Sequence, residues 1–129
     1  MKILIKAKLN DIVNSTGTFN KLMQQTFKGS LAFKIARLAR ELEKEMQTFN
    51  DERMKIIRKY GKKDENGELI IDENGNVNFD TDKINDLNSE FNSLLETELE
   101  INADKLPVDS IDEFELTPQE VIDLEKFFE

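Results

Sequence analysis

The 129-residue chain has no cysteine, no histidine and no tryptophan. Without cysteine there is no disulfide, no thiolate metal site and no thiol nucleophile. Without histidine the commonest general base, the commonest metal ligand and any Ser-His-Asp arrangement are gone. Catalysis would have to rest on carboxylates, Lys, Arg or the single tyrosine, Tyr60. The composition therefore points to a protein that is not an enzyme and that takes no cofactor and no metal. Apolar residues reach only 38% while charged residues reach 35%, which suits an elongated, surface-rich shape better than an enzyme with a deep pocket. Long hydrophobic runs are also missing. The opening stretch from Met1 to Lys6 is too short and too broken by lysine for a signal sequence or a membrane span. The expectation is a soluble, intracellular protein with no membrane contact, folded as a single domain over 1–129.

What the chain has in quantity is charge, and the two signs are separated. Residues 1–63 hold 15 Lys/Arg against 6 Asp/Glu, and residues 64–129 hold 3 against 21. Such a split means either that the halves fold against each other or that one face is offered to a charged partner.

Periodicity gives the elements. Ile3, Ile5 and Ala7 alternate with Lys2, Lys6 and Lys8, the period of a half-buried strand over 2–8. Short helices over 10–27 follow, with Asn10 as a cap, Gly17 as a stop, and Phe19, Leu22, Met23 and Phe27 as a second apolar face. From residue 30 to residue 60 there is no Gly or Pro. Leu31, Ile35, Leu38, Leu42, Met46, Phe49, Ile56 and Tyr60 recur at helical spacing. That predicts one long amphipathic helix of roughly 45 Å at 1.5 Å per residue, with a bend near residue 50 and a stop at Gly61.

Asp-Glu-Asn-Gly then occurs twice, at 64–67 and 72–75. Asn-Gly is a strong hairpin signal because both positions tolerate positive φ. The reading is a β-hairpin over 68–79 turning at 72–75, with the first copy as a lead-in turn. A period of eight seen twice is too short to indicate a repeat architecture. A helix over 82–95 (Ile84, Leu87, Phe91, Leu94, Leu95) and a strand over 97–101 come next, the strand's Leu99 and Ile101 alternating with Glu96, Glu98 and Glu100. The last helix, 118–128, is announced by Thr117, Pro118 and Glu120, which together write a capping box with proline in the first turn.

These elements make an α+β fold. A long antiparallel helical hairpin carries a β-hairpin at its tip, the N-terminal and late strands form a small sheet, and a C-terminal helix closes the chain. In that register Lys59 falls near Asp82, Arg58 near Asp86 and Lys55 near Glu90, while the strand lysines face the strand glutamates. Exposed pairs of this kind contribute only a few tenths of a kcal/mol each, so they select register more than they stabilise.

Four groups invite a chemical reading. Asp72, Asn74, Asn76, Asn78, Asp80 and Asp82 look like a calcium loop, but Gly75 and Lys83 fall fourth and twelfth where Gly sixth and Glu twelfth are required; turns and a helix cap explain the run. Glu96, Glu98 and Glu100 could hold a hard metal, yet a solvent face opposite the lysines is favoured. Lys34, Arg37, Arg40 and Lys44 form a basic stripe, and with no interleaved aromatics or recognition motif it argues for an internal or protein-facing role over direct nucleic-acid binding. The acidic half, finally, could imitate a phosphate backbone if its carboxylates lie unneutralised on one surface.

Three segments carry a resemblance: Lys2 to Lys6, the exit Lys59-Tyr60-Gly61 into Asp-Glu-Asn-Gly-Glu, and Asn88 to Ile101 followed by Leu116-Thr117-Pro118-Gln119-Glu120. In order and spacing they resemble a family of small uncharacterised proteins encoded by tailed phages and prophages of Gram-positive bacteria. The resemblance implies a phage gene product with no assigned enzymatic activity, in the cytoplasm of the bacterial host or associated with the virion; it supplies no functional residues.

The expectation is thus a non-enzymatic phage accessory or assembly protein that binds a protein partner of phage or host origin. The alternative is an acidic inhibitor of a host or defence nucleic-acid enzyme, of the anti-CRISPR or anti-restriction kind. The candidate partner-binding residues are Asp104, Asp109, Asp112, Glu113 and Glu115, which have no obvious local partners, together with Phe127 and Phe128, which are either apolar knobs for a partner or, the favoured reading, core residues that dock against the domain with Phe114 and Leu116 as the matching contact.

Overall fold

The computed structural model describes residues 5–129, so the first part of the predicted strand, with Lys2 and Ile3, lies outside the described residues. The fold is mixed helix and strand: β1 (Ile5–Lys8), α1 (Leu9–Leu22), α2 (Gly29–Tyr60), α3 (Ile84–Leu95), β2 (Glu98–Ile101) and α4 (Pro118–Leu124), with short 3-10 turns between them. No helix among the described residues is long and apolar enough to cross a membrane. The chain divides into two compact units: the described part of Met1–Gln47 with Thr97–Glu129, and Thr48–Glu96.

In the first unit β1 and β2 pair antiparallel as Ile5 with Ile101, Lys6 with Glu100, Ala7 with Leu99 and Lys8 with Glu98. This is the pairing of lysine strand against glutamate strand that the alternation predicts. Side chains alternate across a strand, so one register buries Ile5, Ala7 and Ile101 and turns both charge signs outward together.

Helix α1 differs from expectation at both ends and in the middle. It starts directly after β1, because Leu9 N–H donates to Thr97 O and the Asp11 carboxylate accepts from Lys8 N–H at 2.9 Å; Asn10 is inside the helix, not its cap. It runs through Gly17 without a break. Leu9, Ile12, Phe19 and Leu22 make one continuous buried stripe across that position, and burying it outweighs the roughly 1 kcal/mol that a mid-helix glycine costs. The helix ends at Leu22, so Phe27 lies outside it and meets Phe114 edge-on at 5.2 Å.

The core of this unit gathers Ile12, Phe19 and Leu22 of α1, Leu31, Ile35, Leu38 and Leu42 of α2, and Leu106, Phe114, Leu124, Phe127 and Phe128 of the C-terminal part. Each fully buried side chain of this size contributes on the order of 2 kcal/mol. Phe127 packs edge-on against Phe19 at 5.4 Å, and Phe128 lies 5.6 Å from Phe114. The capping box at α4 forms as expected: Glu120 N–H donates to Thr117 Oγ1 and Thr117 N–H donates to the Glu120 carboxylate. The helix is shorter than predicted, passing at Glu125 into a 3-10 turn.

The second unit holds a feature that the predicted hairpin does not contain. Three short arms, eight residues apart, close on one another. Lys62 N–H donates to Asn78 O, Asn78 N–H to Ile70 O, and Ile70 N–H to Lys62 O, at 2.8, 3.0 and 2.9 Å. The flanking residues bridge as Lys63 with Leu69, Ile71 with Val77, and Gly61 with Phe79. Each arm thus pairs with both others, and the period of eight set aside as too short is a threefold repeat.

The turns between arms are alike. Asp64 Oδ1 accepts from Asn66 and Glu68 N–H, and Asp72 Oδ1 accepts from Asn74 and Asn76 N–H. In each only the glycine is left-handed, Gly67 at φ 79° and Gly75 at φ 82°, so these are three-residue loops ending in a glycine bulge, not turns with two positive-φ residues. A third turn begins the same way, with Lys83 N–H donating to Asp80 O. Lys83 stands where glycine stood; it keeps φ −97° and the chain continues into α3 instead of turning back.

The predicted ion-pair register also changes. Lys59 binds Glu90 at 2.7 Å, two helical turns from the expected Asp82, and Lys55 binds Glu52 on its own helix at 3.1 Å.

Candidate protein-binding surface

The segment between β2 and α4 is short of regular structure yet fastened at several points. Ala103, Leu106 and Phe114 are buried. Leu106 N–H donates to Phe127 O, and Glu129 N–H donates back to Leu106 O. Between these anchors Val108–Glu113 forms a 3-10 helix that opens at Pro107. Proline suits that start because it needs no N–H partner and its φ is already set.

This anchoring decides where the charges point. Asp104, Asp109, Asp112, Glu113 and Glu115 are all exposed, and none of the five is in an ion pair with another described residue. Positions three apart eclipse on a 3-10 helix, so Asp109 and Asp112 stand on one side about 6 Å apart along the axis. The neighbouring Glu120 is different: its carboxyl is held below the usual glutamate range by the Thr117 backbone N–H and by Lys21 at 2.9 Å. Among the described residues the five expected carboxylates therefore have no ion-pair partner. Phe127 and Phe128 do not belong with them. They are 0% and 8% exposed, core residues and not knobs, with Phe127 against Phe19 of α1 and Phe128 against Phe114.

Elsewhere some charges of the two halves meet. Lys21, Lys59 and Lys62 of the basic half pair with Glu120, Glu90 and Asp80 of the acidic half. Above the sheet, Lys6, Lys8 and Lys126 share an open groove of about 710 Å³ with Asp11, Glu98 and Glu100, a surface of mixed sign. Glu98 and Glu100 lie opposite Lys8 and Lys6, and no group of three or more acidic residues among those described could hold a metal ion. On α2, Lys34, Arg37 and Arg40 are exposed, and Lys44 bonds Glu41 at 3.1 Å.

Beside that stripe lies a residue the sequence reading passed over. Phe33 is 68% exposed and borders a hollow of about 120 Å³ with Lys34, Arg37, Ala103 and Asp104. The signal was available: at 100° per residue Phe33 sits about 200° around the helix from Leu31, opposite the buried stripe.

Comparison with family models, with curated proteins and with solved structures returns no match.

Proposed function

We propose that the chain is a non-enzymatic binding protein that engages a basic surface of a protein partner, in a phage accessory or assembly role. One observation carries this reading: the five carboxylates between 104 and 115 are exposed, in no ion pair with another described residue, and mounted on a segment anchored to the core by Leu106 and Phe114. A preordered charged surface loses little conformational entropy on binding, and its field speeds encounter with a cationic partner. In this reading the second half of α2, the three-armed ring and α3, tied by Lys59 and Glu90, form a helical hairpin. The phage role rests on the resemblance of the strand, turn and cap segments.

The adjacency of Asp109 and Asp112 on a 3-10 helix favours a second reading, in which paired carboxylates stand in for phosphates and occupy a nucleic-acid enzyme's binding groove. Tagged protein, recovered from phage-infected cells at low and at high salt, separates the two. An assembly role should recover virion proteins at both salts, and an inhibitor should recover a host nucleic-acid enzyme at low salt only. Asp109→Asn, Asp112→Asn, Glu113→Gln and Glu115→Gln together should abolish capture in either case. Capture unchanged by this fourfold variant would overturn the binding surface itself.

A further inference from the structure

We propose that the two Asn-Gly turns of the three-armed ring, Asn66-Gly67 and Asn74-Gly75, are self-modification sites that the closed ring holds silent and an open ring releases. The modification is loss of ammonia from asparagine, with water as the one co-reactant. These are the two Asn-Gly pairs of the chain. Both lie in the ring, with asparagine and glycine exposed to solvent. Glycine presents no Cβ to hinder approach to its backbone nitrogen. In the first site Gly67 N gives its proton to solvent, and its electron pair forms a bond to Asn66 Cγ. The Cγ–Nδ2 bond breaks and ammonia leaves with a proton from water, so a five-membered imide remains. Water then opens the imide at either carbonyl, and nothing is oxidised or reduced. One opening leaves an aspartate. The other leaves an isoaspartate, whose main chain runs through Cβ and Cγ and is one carbon longer.

The closed ring opposes the first step. Gly67 N–H donates to Asp64 O and Gly75 N–H donates to Asp72 O, each at 3.0 Å, so the proton that must leave is bound. Asp64 Oδ1 accepts from Asn66 and Glu68 N–H at 2.8 and 3.0 Å, and Asp72 Oδ1 accepts from Asn74 and Asn76 N–H at 2.9 Å. These bonds fix the main chain on both sides of each reacting pair. Each carboxylate also stands near the nitrogen that would become negative, and like charges repel. The bonds among Lys62, Ile70 and Asn78 hold both turns shut together. Once isoaspartate has formed, the loop is one carbon too long for the bond from Asp64 N–H to Glu68 O at 2.8 Å. It also carries a new negative charge among Asp64, Glu65 and Glu68. Because the ammonia is lost the change runs one way, and it keeps the ring from closing again.

The full chain, held at mildly alkaline pH and sampled over days by peptide mass spectrometry, tests this. Each event adds one mass unit, and fragmentation of peptide 64–83 separates the two sites. Both sites should react about tenfold or more slowly in the folded chain than in the same chain in denaturing urea, since reaction then waits on local opening. Asp64→Ala should make Asn66 the faster of the two sites, and Asp72→Ala should make Asn74 the faster. The modified chain, once purified, should lose amide-exchange protection at Lys62, Ile70 and Asn78. Equal rates in folded and unfolded chain, a ratio of the two sites indifferent to Asp64→Ala and Asp72→Ala, or a modified chain that keeps its protection would overturn the proposal.

Discussion

The three-armed ring makes a sharp demand at Gly61. A methyl group there would sit 2.5 Å from Leu69 Cδ2, 2.9 Å from Ile57 O and 3.0 Å from Val77 Cγ1. Gly61, Leu69 and Val77 are the equivalent positions of the three arms, and two side chains already occupy the space they share. Gly61 is not among the positive-φ glycines, so backbone strain is not the issue and the conflict is one of volume. The Leu69 side chain can swing away, but the Ile57 carbonyl accepts the Gly61 N–H at 2.7 Å and ends α2, so it cannot retreat without loosening the helix terminus. Gly61→Ala should therefore cost about 1–3 kcal/mol, the usual range for overpacking. Urea unfolding monitored by circular dichroism measures this, and amide exchange at Lys62, Ile70 and Asn78 reports on the ring itself. Leu69→Ala in the Gly61→Ala background should recover part of the loss, with a coupling of roughly 0.5–3 kcal/mol in the double-mutant cycle. A Gly61→Ala protein as stable as wild type, or a cycle with no coupling, would refute the threefold packing.

Other glycines should respond differently. Gly17→Ala meets nothing within 4 Å in the middle of α1 and should stabilise by about 0.5–1 kcal/mol in the same urea assay. Gly75→Ala places a side chain at φ 82° and should destabilise by about 1–2 kcal/mol, with faster exchange at Asn78. Thr117→Ala removes the acceptor of the Glu120 N–H and should cost roughly 1 kcal/mol in thermal melts. The pKa of Glu120 is lowered in the folded state, first by the Thr117 backbone N–H and then by Lys21. Its contribution is therefore present above the ordinary glutamate range and lost as pH falls through the depressed folded value. Glu120→Gln should flatten the acid limb of melting temperature against pH as the pH falls through and below the ordinary glutamate range.

Much of the first unit was legible in the residues. Alternation alone pairs Lys6 with Glu100 and Lys8 with Glu98, and the buried stripe of α2 from Leu31 to Leu42 follows from its spacing. The Thr117–Glu120 box was also readable, because its chemistry is local. Gly17 misled because a propensity of about 1 kcal/mol was weighed without the long-range burial of Phe19 and Leu22. The ring was missed for a related reason. Its third copy has Lys83 in place of glycine, so only two copies announce themselves as text, and closure depends on hydrogen bonds between arms that no local pattern encodes. Among the candidate site residues the five carboxylates are exposed. Phe127 and Phe128 enter the core, the reading that the apolar face of the last helix favours, and Phe128 meets Phe114 there.

The proposed function rests on the carboxylates between 104 and 115 as a binding surface for a cationic protein. The most direct measurement is the affinity of a captured partner for wild type and for the fourfold carboxylate variant, titrated calorimetrically across a salt series. A steep loss of wild-type affinity with salt, and little or no binding by the variant at any salt, is the expected result. Equal affinities with equal salt dependence would contradict it, and the acidic segment would then be a solvated face only.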